Sequence, residues 1–155
     1  MFMTDARMYP DRPYLAVSAA IIRDGHVLVA RRARGASTGV FTMPGGVVEA
    51  GETLHQAIVR EVMEETGIAI EPVALAGERE FITRDATGQV ARHFVILCFA
   101  CRWISGEGVP LLEELSELRW LRPAALAELQ TTEGLAEIVE AAFALIEKTP
   151  VIPSD

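Results

Sequence analysis

The sequence predicts an α/β fold, an α/β/α sandwich in which a mixed β-sheet is flanked by helices. Three observations carry this. Strand-like runs lie on both sides of one strongly patterned helical segment at 53–66, and a second amphipathic segment follows near the end. No linker, repeat or low-complexity tract divides the 155 residues, a length that suits one domain. Strands interrupted by a helix and followed by helices pack best as layers on the two faces of a sheet.

Residues 1–13 are polar, proline-flanked and without period, and read as a flexible N-terminal arm. The domain itself is expected over 14–149, with 150–155 as a C-terminal tail. Residues 14–22 (YLAVSAAII) and 27–30 read as strands, and Asp24-Gly25 between them is a hairpin signal. A small-residue loop at 33–39 leads to a short strand at 40–43, stopped by Pro44-Gly45-Gly46. The helix at 53–66 opens with Thr53 and Gln56 in capping-box spacing and closes on Gly67, which suits a left-handed cap.

Residues 72–82 and 90–103 read as strands around an Asp85-Ala86-Thr87-Gly88 turn, the second apolar enough to be covered on both faces. A loop at 105–110 and a strand at 118–121 follow. Pro123 then suits the first turn of a short helix ending at Leu129. Leu135, Ile138, Val139, Ala142, Phe143 and Ile146 fall on one face of a terminal helix. Cys98 and Cys101 have C-x-x-C spacing but sit in a strand pattern, which sends them to opposite faces and argues against a redox or zinc pair.

Composition narrows the function. Lys and Arg total 14 against 22 for Asp and Glu, a formal charge of −8. Such a chain gains no counterion-release drive toward long nucleic acids and no attraction to anionic lipid. A polyphosphate substrate would have to bring or share a positive charge, most simply a divalent metal. No run of 18 apolar residues is present, and the first residues have no secretory pattern. The expectation is a cytoplasmic protein.

The chemistry concentrates in 46–68, GVVEAGETLHQAIVREVMEETGI. On a helix, Glu61, Glu64 and Glu65 stand at i, i+3 and i+4 and share a face, while Leu54, Ile58 and Val62 form a separate stripe that docks on a sheet. Crowded carboxylates select hard cations such as Mg²⁺ or Mn²⁺. Gly45 and Gly46 permit close approach of the backbone, and Arg60 is placed to pair with Glu52 across the loop–helix junction.

This segment resembles the Nudix box, Gly-x5-Glu-x7-Arg-Glu-U-x-Glu-Glu-x-Gly-U with U aliphatic. Gly46, Glu52, Arg60, Glu61, Val62, Glu64, Glu65, Gly67 and Ile68 fill every specified position. The resemblance implies a Nudix-type sandwich and a pyrophosphohydrolase that cleaves nucleoside diphosphates linked to another moiety, with Mg²⁺ or Mn²⁺. It implies Glu61, Glu64, Glu65 and the Gly45 carbonyl as metal ligands. It also implies that Arg60 and Glu52 brace the loop, with Glu64 and Glu61 in the catalytic centre. A further carboxylate from downstream, Glu114 among Glu113, Glu114 and Glu117, is a candidate base.

Substrate class is less marked. Stretches around Arg79-Glu80-Phe81, Arg92-His93-Phe94 and Arg119-Trp120-Leu121 resemble the ADP-ribose pyrophosphatase or MutT-like subgroup. The marker proline of the former falls near Thr83 or Arg84 and the marker tyrosine of diadenosine polyphosphate hydrolases near Asp85, and neither is present. Arg31, Arg32, Arg79 and Arg84 are candidate phosphate contacts, since guanidinium grips phosphate bidentately. Phe41, Phe81 and Trp120 are candidates for stacking on a base. The expected substrate is ADP-ribose or a similar small nucleotide. A nucleoside triphosphate pyrophosphohydrolase, a non-catalytic nucleotide-binding regulator and an acidic cation-binding module stay open as alternatives. The expected partner is a small molecule, not a membrane or long nucleic acid; a homodimer with exchanged arms is compatible with the sequence.

Overall fold

The central strand of the sheet is the one with the clearest two-faced burial. In β1 (Tyr14–Arg23), Val17, Ala19 and Ile21 face one side of the sheet, and Ala20 and Ile22 face the other. The computed structural model describes residues 5–35 and 37–151. Positions 1–4 of the arm, 36 of the small-residue loop and 152–155 of the tail lie outside the described residues.

β1 runs parallel to β6 (Val90–Ser105) from Tyr14 opposite Phe94 to Ile22 opposite Arg102. Its other edge is shared. β4 (Gly45–Val47) pairs antiparallel with its first half and β2 (His26–Arg32) with its last residues. The order is β3-β2-β1-β6-β5, with β4 on β1 and β7 on β2; β3 is Phe41–Thr42, β5 is Ala69–Arg84 and β7 is Leu115–Leu121. The sheet is therefore mixed, as expected. The Asp24-Gly25 turn has positive φ at both residues, matching the primed hairpin geometry its sequence implies.

Helix α1 (Leu54–Thr66) packs on one face and α2 (Leu135–Lys148) on the other. Ala57, Ile58 and Val62 of α1 meet Val17, Ala19, Ile21 and Leu28. Leu135, Ile138, Val139 and Ala142 of α2 meet Ala20, Ile22, Val27 and Val29. The capping box forms in both directions, Gln56 N–H to Thr53 Oγ1 at 3.1 Å and Thr53 N–H to Gln56 Oε1 at 2.9 Å. Gly67 ends the helix at φ +74°. Cys98 and Cys101 are free, buried and in different core clusters, as strand parity requires.

Four readings change. Pro44 does stop β3, but the glycines after it form β4. Gly45 lies against β1 so tightly that a Cβ there would meet Val17 O at 2.0 Å. β5 and β6 are each longer than their apolar runs because they pair with one another along their length, with several register shifts. Only residues 98–101 of β6 form a continuous buried run; before them Ala91 and Phe94 are buried and the other residues are partly exposed. The segment after Pro123 is a 3₁₀ turn, Pro123–Glu128. The part of the arm that is described touches the ribbon: Tyr9 N–H donates to Ala91 O at 2.8 Å, and Arg92 Nε donates to Met8 Sδ at 3.0 Å.

Candidate active site

β4 delivers its glycines directly beneath the acidic face of α1. A Cβ at Gly46 would lie 2.3 Å from the Cδ of Glu61, so only glycine lets the strand and the helix come this close. The following loop folds back on itself, with Glu52 N–H donating to Glu49 O at 3.0 Å and Glu49 N–H donating to Glu52 Oε1 at 3.1 Å. Glu52 is thereby aimed at the helix before it meets any partner there.

Its partner is Arg60. Arg60 Nε reaches Glu52 Oε2 at 2.6 Å and Nη2 reaches Oε1 at 2.9 Å, a bidentate pair. Nη2 also donates to Val47 O at 3.2 Å, and Nη1 to Glu61 Oε1 at 2.9 Å and Glu64 Oε2 at 3.3 Å. One guanidinium thus ties β4, the loop and the acidic face together. The pairing predicted with Glu52 is present, and the bridges to Glu61, Glu64 and Val47 extend it. Hydrogen bonds from Arg60 pull the Glu52 carboxyl down to about 2, and donating them to Glu52 raises the already high pKa of Arg60.

The three helical glutamates have different surroundings. The Glu64 side chain is 54% exposed and that of Glu61 is 13% exposed. Glu65 is 0% exposed, and neither of its carboxyl oxygens meets a partner at hydrogen-bond geometry among the described residues. Burial pushes Glu65 well above the usual carboxylate range; the Glu61 charge adds to this, and the Gly45 backbone amide offsets part of it. Burial also raises Glu61, against the pull of Arg60. A carboxylate stripped of water needs a proton or a cation close by.

The donors around Glu65 fit a hard divalent cation: Glu61 and Glu65 carboxyl oxygens, with Glu64 one turn of helix from Glu61. Among the described residues, no three acidic, histidine or cysteine side chains are already gathered into a coordination shell. Arg60 Nη1 sits between Glu61 and Glu64.

Glu114 also comes near. Its backbone oxygen accepts from Ala33 N–H at 2.7 Å, and its charge contributes to the upward shift of Glu65. The same loop crosses the end of α1, where Leu111 N–H donates to Glu65 O at 2.9 Å. Glu113 instead pairs with Arg34, and Glu117 pairs with Arg31 and Arg119.

Beside this acidic centre is a cavity of about 550 Å³ between β2, β3, the β5–β6 ribbon and residues 131–133. Arg32, Arg79 and Arg92 line it, together with Phe81 and Phe94. Arg32 is half-buried, and no carboxylate pairs with it among the described residues. Burial and the neighbouring Arg92 charge lower its pKa, and Glu65 opposes this from the other side. Of the four arginines expected at a phosphate, the structure brings Arg32 and Arg79 to the cavity. Arg31 turns to Glu117 at 3.5 Å, and Arg84 donates to Gly88 O at 3.0 Å within the turn that follows β5. Phe41 is buried and Trp120 donates to Glu107 O, so of the three stacking candidates only Phe81 reaches the cavity.

The NUDIX domain model matches residues 12–142. The chain belongs to the Nudix family. It is 37% identical over 95 residues to an ADP-ribose pyrophosphatase of Methanocaldococcus jannaschii, covering 61% of this chain and 54% of that protein. It is 31% identical over 134 residues to the NAD-capped RNA hydrolase NudC of Photobacterium profundum, covering 86% and 47%. The chain therefore spans about half the length of these curated relatives. Among solved structures, a MutT NUDIX hydrolase of Burkholderia pseudomallei superposes with a TM-score of 0.68 at 28% identity, over 88% of this chain and 99% of that one.

The Nudix box supplies the acidic centre, but several cavity residues lie far outside it. Met8, Thr42 and Thr132 carried no signal as site residues, because each is an ordinary residue in its own segment. Arg92 had a weak one, as a cation in an apolar strand two residues before Phe94.

Proposed function

We propose that the chain hydrolyses the pyrophosphate bond of a small nucleotide, a nucleoside diphosphate linked to a further moiety, with ADP-ribose as the leading substrate. The observation that carries this is the fully buried Glu65 carboxyl next to Glu61, without a hydrogen-bond partner among the described residues, with the Arg32 guanidinium facing the same charge from a ligand-sized cavity. Acid on one side and guanidinium on the other suit a metal-bound pyrophosphate.

In this reading Glu61, Glu64, Glu65 and the Gly45 carbonyl hold Mg²⁺ or Mn²⁺, and Glu52 and Arg60 keep the loop in place. The cation supplies charge neutralisation and a bound water of lowered pKa. Arg32 and Arg79 bind phosphate oxygens, Phe81 offers its ring to a base or sugar face, and Glu114 or Glu64 takes the proton of the attacking water. A cytoplasmic setting and a small-molecule substrate go with the charge of −8.

The test is product release from ADP-ribose, nucleoside triphosphates, NAD and an NAD-capped RNA fragment with Mg²⁺, beside Glu64→Gln. Monoesters from ADP-ribose that become sensitive to phosphatase support the proposal, with turnover of the variant lower by roughly 10²–10⁴-fold. Pyrophosphate released from triphosphates supports the second reading, a MutT-like enzyme, which the similarity to the Burkholderia protein favours. Nucleotide binding with no product over hours would leave a regulator.

A further inference from the structure

In the cavity, the Arg79 guanidinium is held by a side-chain hydroxyl. Arg79 Nη1 donates to Thr132 Oγ1 at 3.2 Å, and the Thr132 hydroxyl in turn donates to Thr42 Oγ1 at 3.5 Å. The Thr132 hydroxyl can give its proton to Thr42 and still offer a lone pair to Arg79. The guanidinium also lies beside Gly134, with Nε 3.6 Å from where a Cβ on that residue would stand.

Thr132 is itself fixed by backbone. Its N–H donates to Phe41 O at 3.0 Å, Phe41 N–H donates to Gln130 O at 2.9 Å, and its own carbonyl accepts from Leu135 N–H at 3.2 Å at the start of α2. Residues 130–132 are therefore latched to β3, three residues before Gly45. Arg79 comes from β5, at the far edge of the sheet. An arginine side chain loses rotamer freedom when a ligand fixes it, and a preformed contact reduces that loss.

Resting on the pyrophosphohydrolase reading, we infer that Thr132 is a positioning residue that fixes Arg79 as an anion contact, so that the latch on β3 sets substrate affinity. Arg79 touches the substrate, and Thr132 acts only through it. Thr132→Val keeps the shape and removes the hydroxyl. It should raise KM for ADP-ribose about tenfold, the size of one lost hydrogen bond to a charged group, with kcat within about twofold. Thr132→Ser should restore KM. Arg79→Ala should raise KM at least as far, and Thr132→Val added to Arg79→Ala should change nothing more.

Calorimetric binding of ADP-ribose to the Glu64→Gln variant with Mg²⁺ follows affinity without turnover and should show the same pattern. An unchanged KM in Thr132→Val, no rescue by serine, or an equal loss in the Arg79→Ala background would overturn the inference while leaving the enzyme reading standing. Wild-type protein that neither binds nor cleaves ADP-ribose overturns both.

Discussion

Gly46 and Glu61 are packed so closely that the space a Cβ would take is occupied by the Glu61 carboxyl group, 2.3 Å away. What would have to move is the end of a side chain and not the backbone, so the fold can absorb the change while the site cannot. Gly46→Ala is therefore expected to melt within a few degrees of wild type and to lose kcat by on the order of 10²-fold, the penalty of a misplacement of about 1 Å at a reacting centre. Steady-state kinetics beside a thermal melt decide it. A variant with normal kcat would mean that Glu61 need not hold this position.

The Glu52–Arg60 pair gives a pH dependence. Glu52 titrates at about 2 in the fold against 4.5 for the free group. A depressed acid stabilises the fold above its unfolded value and loses that contribution as pH falls through its folded value. The stability gap between wild type and Glu52→Gln should be full above about pH 4.5 and should close toward pH 2. Melts at pH 7, 4 and 2.5 measure the gap, and a constant gap argues against the pair as its source.

Glu65 makes the opposite trade. A buried carboxyl without partners costs stability until a cation or proton arrives. Glu65→Gln should raise Tm in the presence of chelator, by about 2–4 °C for each 1 kcal/mol relieved. It should also abolish the rise that Mg²⁺ gives wild type. Thermal shift with and without Mg²⁺ reads both effects, and a variant that Mg²⁺ still stabilises fully would remove Glu65 from the metal site.

The arginines separate by where their side chains go. Arg32→Ala is expected to raise KM about tenfold or more, because it removes a charged hydrogen bond from a half-buried guanidinium to the phosphates. Arg84→Ala should leave KM within about twofold, since its side chain caps the turn at Gly88. Kinetics of the two variants side by side provide the check, and equal effects would contradict the placement of the phosphates in the cavity.

Residues 46–68 were legible because their information is local. Box spacing, capping box and Gly67 cap all lie within one loop and one helix, and α2 was legible from its apolar stripe. The sandwich followed from the alternation of strands and helices. What stayed hidden depended on pairings between distant segments. The extra length of β5 and β6 comes from mutual pairing of residues 20 or more apart in much of the ribbon, and their own side chains do not signal it.

The choice between Arg31 and Arg32 shows the division. The sequence by itself determined that this chain has a Nudix acidic centre and that cations precede it. Which cation faces the cavity follows from strand parity once β2 is paired: Arg31 stands opposite Phe41 and Glu117, and Arg32, the next residue, points to the other face, the one that Ala30 and Thr42 share. Thr132 and Met8 enter the site the same way, through backbone pairing with β3 and β6. The burial of Glu65 beneath the loop at 109–114 likewise arises only when these segments pack together.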